Sequence, residues 1–161
     1  MSARTLLLSL TLTLPNEQAM GDLAIDLANA LDPGDVVTLS GDLGAGKTTL
    51  ARGVLSALGL AEEAPSPSFA IVQPYEPPEV RLPVWHVDLY RIEDADDTAE
   101  LGLDDARHDS VLLVEWPERM GDRLWPDALR LRLERDEGGA RRLTATVPPA
   151  WEGRWPPPVP R

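Results

Sequence analysis

The sequence contains no cysteine among its 161 residues, which excludes disulfides, thiolate metal sites and cysteine nucleophiles and is compatible with a reducing compartment. Histidine is scarce as well: His86 and His108 are the only two, and two histidines do not make a zinc site unaided. A chain of this length is expected to form one domain with a substantial core, without room for a second catalytic module. Any second activity must therefore come from a partner.

Basic residues are also few. Fifteen lysines and arginines stand against 27 aspartates and glutamates, which gives a formal net charge of −12, and Lys47 is the only lysine. Binding to nucleic acid requires clustered Lys and Arg, so this excess of negative charge disfavours a protein that binds nucleic acid without a partner. The candidates for a local basic patch are Arg130, Arg132, Arg141 and Arg142. Residues 93–109 are rich in acids, which predicts a solvated surface or, alternatively, a docking face for a basic partner.

The chain lacks an apolar run long enough to span a bilayer. Residues 6–14 follow Arg4 and mimic a signal peptide, but every second residue from Leu6 to Leu14 is leucine with mostly polar residues between. Alternation with period two indicates a β-strand, and no small-residue cleavage site follows it. We therefore expect a soluble, cytoplasmic protein without a membrane partner.

A phosphate-binding signature stands out against this background. Residues 41–48 read Gly-Asp-Leu-Gly-Ala-Gly-Lys-Thr, which matches G-x-x-x-x-G-K-T. In such a loop the backbone N–H groups point at phosphate oxygens, Lys47 reaches the outer phosphates and the Thr48 hydroxyl is available to Mg²⁺. An apolar strand precedes the loop and a helical pattern follows it, so the phosphates would meet the positive end of a helix dipole. The predicted nucleotide-binding residues here are Gly41, Asp42, Leu43, Gly44, Ala45, Gly46, Lys47, Thr48 and Thr49.

The remaining patterns alternate between helices and strands. After the first strand, Asn16 caps a predicted helix that ends near residue 32. Strands are predicted at 35–40, 69–73, 82–89, 111–114, 129–133 and 143–147, with a short helix within 94–105, a loop at 117–127 and a hairpin turn at 136–139. This order predicts an α/β sandwich of the P-loop NTPase type, with a central mixed β-sheet flanked by helices.

We assign residues 1–147 to a single domain and residues 148–161 to a C-terminal tail. Six prolines and two tryptophans occupy these last fourteen residues. Such a composition predicts an extended and loosely held segment.

Two strand-end acids complete the candidate site. Asp88 follows the apolar run at 84–87, and Glu115 follows the one at 111–114. Ligands of open α/β sheets collect at such strand ends, so one acid is expected to hold Mg²⁺ and the other to place water or the γ-phosphate. Which acid does which stays open at this point. The alternative for each is a carboxylate that caps a helix or pairs with an arginine.

Three further features have two interpretations each. His86 is either a phosphate sensor or, as the pattern favours, a hydrogen-bonded and partly buried side chain. Trp116 either stacks on a ligand or partner or is packed at the strand end. The stretch from Ser66 to Ser68 is either a switch that senses the γ-phosphate or an ordinary turn.

Five segments together resemble one family. They are residues 41–49 (Gly-Asp-Leu-Gly-Ala-Gly-Lys-Thr-Thr), 66–69 (Ser-Pro-Ser-Phe), 86–91 (His-Val-Asp-Leu-Tyr-Arg), 101–104 (Leu-Gly-Leu-Asp) and 114–119 (Val-Glu-Trp-Pro-Glu-Arg). In this order they resemble the TsaE family of YjeE-type bacterial ATPases, over residues 14–147. The departures are Ser68 where the family commonly has Thr, Val87 where an aromatic is frequent, and a tail without a recognised counterpart.

The resemblance implies a part in making threonylcarbamoyladenosine, the modified adenosine beside the anticodon of tRNA. It implies binding and hydrolysis of ATP with Mg²⁺, acting on a heterodimer of the TsaB and TsaD proteins and reaching tRNA only through that complex. An acidic chain fits this role if the partners supply the basic tRNA-binding surface.

The same resemblance assigns roles to single residues. Lys47 would contact phosphate, Thr48 and Glu115 would hold Mg²⁺, and Asp88 would be important for hydrolysis. Trp116 would act beside the nucleotide, and Glu17 lies in the stretch that resembles the family's segment near the base.

Three other functions are weighed against this one. A small-molecule kinase would need an arginine-rich lid, and the loop at 117–127 offers only Arg119 and Arg123. A GTP-dependent switch would carry an Asn-Lys-x-Asp signature, which this sequence does not have. A nucleotide-bound scaffold without turnover is the third. Because no arginine finger or catalytic glutamine is evident near the motifs, we expect slow hydrolysis by the protein alone.

Overall fold

A seven-stranded mixed sheet forms the centre of the computed structural model, which describes residues 8–42, 44–62, 64 and 71–156. The strand order is β1-β7-β6-β2-β5-β4-β3. The strands are β1 (Leu8–Leu14), β2 (Val36–Ser40), β3 (Val72–Tyr75), β4 (Val84–Asp88), β5 (Val111–Glu115), β6 (Leu129–Arg135) and β7 (Arg141–Val147). Strands β4, β5, β2 and β6 are parallel neighbours, whereas β1, β7 and β3 pair antiparallel with theirs. The predicted α/β fold with a mixed sheet is confirmed.

Two helices cover one face of this sheet. Helix α1 (Glu17–Ala30) begins at Asn16, whose side chain accepts a hydrogen bond from the Ala19 N–H at 2.9 Å. Helix α2 (Lys47–Ala57) starts directly after the glycine-rich loop and packs against α1. Their apolar stripes meet inward-facing residues of the strands, for example Val37 and Leu113. This face holds the larger of the two hydrophobic clusters.

The opposite face is covered by short helical pieces. Its cluster contains Val36, Leu112 and Val114, which alternate along their strands with residues of the first face. Against them pack α3 (Leu103–Ala106) and residues of the 3₁₀ helix over Pro117–Arg123, among them Met120. The central strands are thus apolar on both sides, as expected for parallel strands buried between two layers.

The prediction of one helix within residues 94–105 is corrected by the structure. The segment forms a 3₁₀ helix over Ala95–Leu101 and then one turn of α-helix, α3. Gly102 separates the two with φ of 74°, a left-handed conformation that ends a helix. The predicted loop at 117–127 likewise contains a 3₁₀ helix.

The prediction of a loosely held tail was wrong for its described part. Trp151 and Trp155 are each only 1% exposed and belong to the larger cluster. The Arg154 guanidinium contacts the Asp35 carboxylate, donates to the Ala30 carbonyl at 2.8 Å and lies over the Trp151 ring. Proline content marked this segment as irregular, but the burial of two indole rings holds it against the domain.

Several boundaries moved by a few residues. The strand predicted at 69–73 begins only at Val72, as β3, and Phe69 and Ala70 lie outside the described residues. Strand β1 forms as its alternation predicted, yet Leu8 and Leu12 are exposed because β1 is at the edge of the sheet. None of the described helices combines the length and hydropathy that a membrane span requires.

Candidate functional site

The glycine-rich loop lies between the end of β2 and the start of α2, at the edge where the parallel strands end. Gly41 has φ of +133°, and a Cβ there would lie 2.2 Å from the Leu133 carbonyl oxygen of β6. Only glycine fits, because the loop backbone passes directly beside a neighbouring strand. The loop then delivers residues 44–46 to the N-terminus of α2, where free N–H groups and the helix dipole favour an anion.

Lys47 is held inside the site and is only 5% exposed. Its Nζ donates to the carbonyl oxygens of Gly41 at 2.5 Å and Asp42 at 2.9 Å. Burial lowers the pKa of Lys47 below its ordinary value, and the neighbouring acids, Glu115 first, oppose that shift. The ammonium group is therefore desolvated and satisfied by weak carbonyl partners, which a phosphate oxygen could replace.

Thr48, Glu115 and His86 form a short chain of polar contacts under the loop. The Thr48 hydroxyl donates to Glu115 Oε1 at 2.8 Å, and His86 Nε2 lies 2.7 Å from Glu115 Oε2. Glu115 is 2% exposed and His86 fully buried. Parallel pairing of β4 and β5 brings Glu115 opposite Asp88 in register, so both strand-end acids reach the same point.

Asp88 is nearly as buried, at 7% exposure. Its Oδ1 accepts a hydrogen bond from the Tyr90 N–H at 2.9 Å. Asp88 and Glu115 line a cavity of about 330 Å³ together with Lys47, Thr48 and Trp116. The structure thus brings the two strand-end acids, Asp88 and Glu115, together with Lys47 and Thr48 of the loop.

The oxygen atoms of Thr48 and Glu115 suit a magnesium ion. Mg²⁺ prefers hard oxygen ligands, and it commonly takes one or two from the protein and the rest from water and phosphates. Across the described ranges, no group of three or more His, Cys, Asp or Glu residues is placed to hold a metal. A cation here would therefore depend on a bound phosphate for part of its coordination.

Trp116 covers the ammonium group of Lys47. Its ring centroid lies 4.3 Å from Lys47 Nζ, and the Tyr90 ring lies beside it, tilted by 51°, with centroids 4.9 Å apart. The Trp116 backbone has φ of 60°, a left-handed conformation uncommon for a bulky residue. Such a conformation persists when packing enforces it, and here it turns the indole over the loop lysine.

A second cavity, of about 330 Å³, adjoins the first. Its lining is Leu14, Asn16, Glu17, Met20, Gly46, Thr49, Gly139 and Arg141, so it shares Gly46, Thr49 and Arg141 with the first. Glu17, which the family resemblance places near the base, therefore borders a separate but adjoining cavity. Its mixed apolar and polar lining suits a nucleoside beside a phosphate site.

Two arginines in the site were missed. Arg135 Nε donates to the Gly44 carbonyl and Arg141 Nε to the Ala45 carbonyl, both at 2.9 Å. They come from the β6–β7 hairpin, more than ninety residues along the chain from the loop. From the sequence, Arg141 is a candidate only for a nucleic-acid patch, and the expectation of slow hydrolysis depends on the lack of an evident arginine finger near the motifs. Only the pairing of β6 with β2 reveals their position.

Some predicted residues lie outside the described part of the chain. Leu43 and the candidate switch from Ser66 to Ser68 are among them. Arg130, Arg132 and Arg142 lie on β6 and β7, where Arg132 and Arg142 pair with Glu134. Those two arginines are each half exposed.

Comparison with known proteins gives a consistent result. The family described as threonylcarbamoyl adenosine biosynthesis protein TsaE matches residues 14–143. A tRNA threonylcarbamoyladenosine biosynthesis protein TsaE from Streptomyces coelicolor is 43% identical over 120 residues, 74% of this chain and 81% of that protein. The Bacillus subtilis protein of the same name is 41% identical over 116 residues, 71% of each chain.

A solved structure agrees with the sequence comparisons. The crystal structure of Bacillus subtilis YdiB superposes with a TM-score of 0.74 and 31% identity, and the match covers 88% of this chain and 87% of that one. The matched family region includes the glycine-rich loop, both strand-end acids and the two hairpin arginines. This chain therefore belongs to the TsaE family of threonylcarbamoyl adenosine biosynthesis proteins.

Proposed function

We propose that this protein binds ATP with Mg²⁺, hydrolyses it, and thereby acts on a complex of TsaB and TsaD that makes threonylcarbamoyladenosine in tRNA. The observation that carries the proposal is the convergence of Lys47, Thr48, Asp88 and Glu115 on one cavity at the N-terminus of α2. A bare anion site would need the loop and the lysine only. Two buried acids beside them fit metal-assisted phosphoryl transfer, in which one group holds Mg²⁺ and another orients the nucleophile.

Each group has a defined task in this proposal. Lys47 exchanges its carbonyl contacts for phosphate oxygens, where its charge offsets the charge that develops as the γ-phosphoryl group departs. Thr48 and Glu115 would hold Mg²⁺ through their oxygen atoms, and the ion would supply positive charge that offsets the charge of the phosphates. Asp88, held in place by the Tyr90 N–H, orients the attacking water.

The partners supply what the chain lacks. A net charge of −12 disfavours direct binding of tRNA, so we assign tRNA binding to TsaB and TsaD. Residues 93–109 form a surface with many exposed acids, for which a basic face on a partner is the expected complement. ATP turnover then changes the state of the complex without any direct reaction of this chain with tRNA.

The test is hydrolysis of ATP and of GTP by the purified protein, alone and with TsaB and TsaD. We expect ATP hydrolysis that the partners stimulate and that Lys47→Ala and Glu115→Ala abolish. Glu76→Ala is the matched control, because Glu76 is exposed in the turn between β3 and β4. Phosphate transfer to a small metabolite without partners would instead identify a kinase, and preference for GTP would identify a switch. Either result refutes the proposal.

A further inference from the structure

His86 is a buried polar residue that the catalytic scheme does not use. It lies within β4, is 0% exposed, and does not line the phosphate cavity. Its Nε2 atom is 2.7 Å from Glu115 Oε2, while the other oxygen of the same carboxylate accepts from Thr48 at 2.8 Å. The two oxygens of Glu115 therefore have different partners.

The contacts define where the histidine proton lies. Glu115 is a carboxylate that already accepts from Thr48, so a hydrogen atom in the His86–Glu115 contact must come from Nε2. Nδ1 of His86 is buried and has no hydrogen-bond partner among the described residues. A proton on Nδ1 alone would bury a donor without an acceptor and leave two acceptors facing each other at 2.7 Å. The Nε2–H form avoids both costs.

We propose that His86 is a positioning residue: its Nε2–H group donates a hydrogen bond to Oε2 of Glu115 and so orients Oε1 toward Thr48 and toward the proposed magnesium site. The inference rests on the proposed function, since it assigns the support of the proposed metal ligand. A glutamate side chain loses considerable rotamer freedom when it is fixed, and a hydrogen bond from a buried imidazole provides that restraint in advance. Outer partners of metal ligands commonly change metal affinity 10–100-fold in this way.

The register of the sheet places His86 within reach of Glu115. His86 and Glu115 lie two positions apart in register on adjacent parallel strands and on the same face, with Leu113 directly opposite His86. The imidazole is long enough to bring Nε2 to the carboxylate two positions away on the neighbouring strand. Glutamine has a similar length and also ends in an N–H donor. Leu fills a comparable volume but donates nothing.

The first experiment separates metal binding from nucleotide binding. The dissociation constant of a non-hydrolysable ATP analogue is measured by calorimetry in EDTA and again in Mg²⁺, for the wild type, His86→Leu and His86→Gln. We expect His86→Leu to keep its affinity in EDTA within about twofold but to lose roughly tenfold or more of the gain from Mg²⁺. His86→Gln is expected to recover most of that gain.

Other outcomes overturn the inference. If Mg²⁺ strengthens binding equally in all three proteins, His86 does not position the metal ligand. If His86→Leu weakens binding equally with and without Mg²⁺, its role is general packing. His108→Gln serves as the control, because His108 is exposed.

A second measurement needs no change at His86. The protein has only two histidines, so ¹⁵N-labelled imidazole resonances are assigned by comparison with His108→Gln. We expect His86 to carry a proton on Nε2, and the Nε2 resonance to shift when Mg²⁺ and the analogue bind. A proton on Nδ1, or an Nε2 resonance that ignores the metal, refutes the inference. If the analogue does not bind at all, the proposed function fails. The spectrum of the nucleotide-free protein still shows whether His86 carries its proton on Nε2.

Discussion

At the scale of the residue, the single lysine of the chain is held on several sides within the site. Lys47 is desolvated, bonded to two loop carbonyls and covered by the Trp116 ring. Burial lowers its pKa from the ordinary value of 10.5, and nearby acids, including Glu115 and Asp88, offset part of the shift. A bound phosphate would raise that pKa again, because an adjacent anion favours the protonated amine.

This coupling predicts a pH dependence of binding. Nucleotide affinity should be full while Lys47 is protonated in the free protein, and should fall as pH rises through its lowered pKa, below 10.5. The loss approaches tenfold per pH unit, because binding then requires uptake of one proton. Dissociation constants of the analogue, measured from about pH 8 upward, check this expectation.

Lys47→Arg provides the comparison for that measurement. Arginine stays protonated throughout, so any affinity it retains should be flat over the same range. A parallel decline in both proteins would assign the pH effect to another group.

At the scale of the element, the β6–β7 hairpin supports the loop from the side. Gly41 passes so close to the Leu133 carbonyl that no side chain fits. Two residues after Leu133, Arg135 donates a hydrogen bond to the Gly44 carbonyl. Arg141, at the start of β7, donates one to the Ala45 carbonyl. The loop conformation is thus set by contacts from a distant hairpin as well as by its own glycines.

Arg141 should therefore matter for nucleotide binding. We predict that Arg141→Ala weakens binding of the analogue by about tenfold or more, because hydrogen bonds from charged groups contribute about 1.5–3 kcal/mol. Equilibrium titration with the purified variant checks this expectation.

Arg142→Ala is the matched control for Arg141. It removes the same charge one residue along β7, where Arg142 pairs with Glu134 and is half exposed. Equal effects of the two variants would mean that net charge, and not the loop contact, controls affinity.

At the scale of the whole molecule, the C-terminal segment closes the larger hydrophobic cluster. Trp151 and Trp155 pack with residues of α1 and the sheet, and Arg154 joins the segment to Asp35 before β2. The residues after β7 are therefore part of the folded domain as far as residue 156. A boundary placed at residue 147 would cut through packed side chains.

Removal of one indole should cost substantial stability. We predict that Trp155→Ala lowers the free energy of unfolding by about 3–5 kcal/mol, as for large core residues in general. For a domain of this size that corresponds to a fall in Tm of roughly 6–20 °C. Glu152→Ala, in an exposed position of the same segment, should change Tm little. A loss below about 0.5 kcal/mol for Trp155→Ala would show a loosely attached tail.

Local sequence patterns predicted a large part of the secondary structure and of the candidate site. The loop at 41–48, the apolar runs before Asp88 and Glu115 and the alternation in β1 and β6 depend on neighbours along the chain, so their strands and turns could be predicted. Tertiary structure alone decided which distant groups meet. Arg135 and Arg141 reach the loop because β6 pairs with β2, and His86 reaches Glu115 because β4 pairs with β5 in one register. The tail packs against the core because the burial of two indole rings stabilises it there, despite the irregular backbone that its prolines impose. Patterns between neighbours along the chain do not predict which distant residues those rings contact.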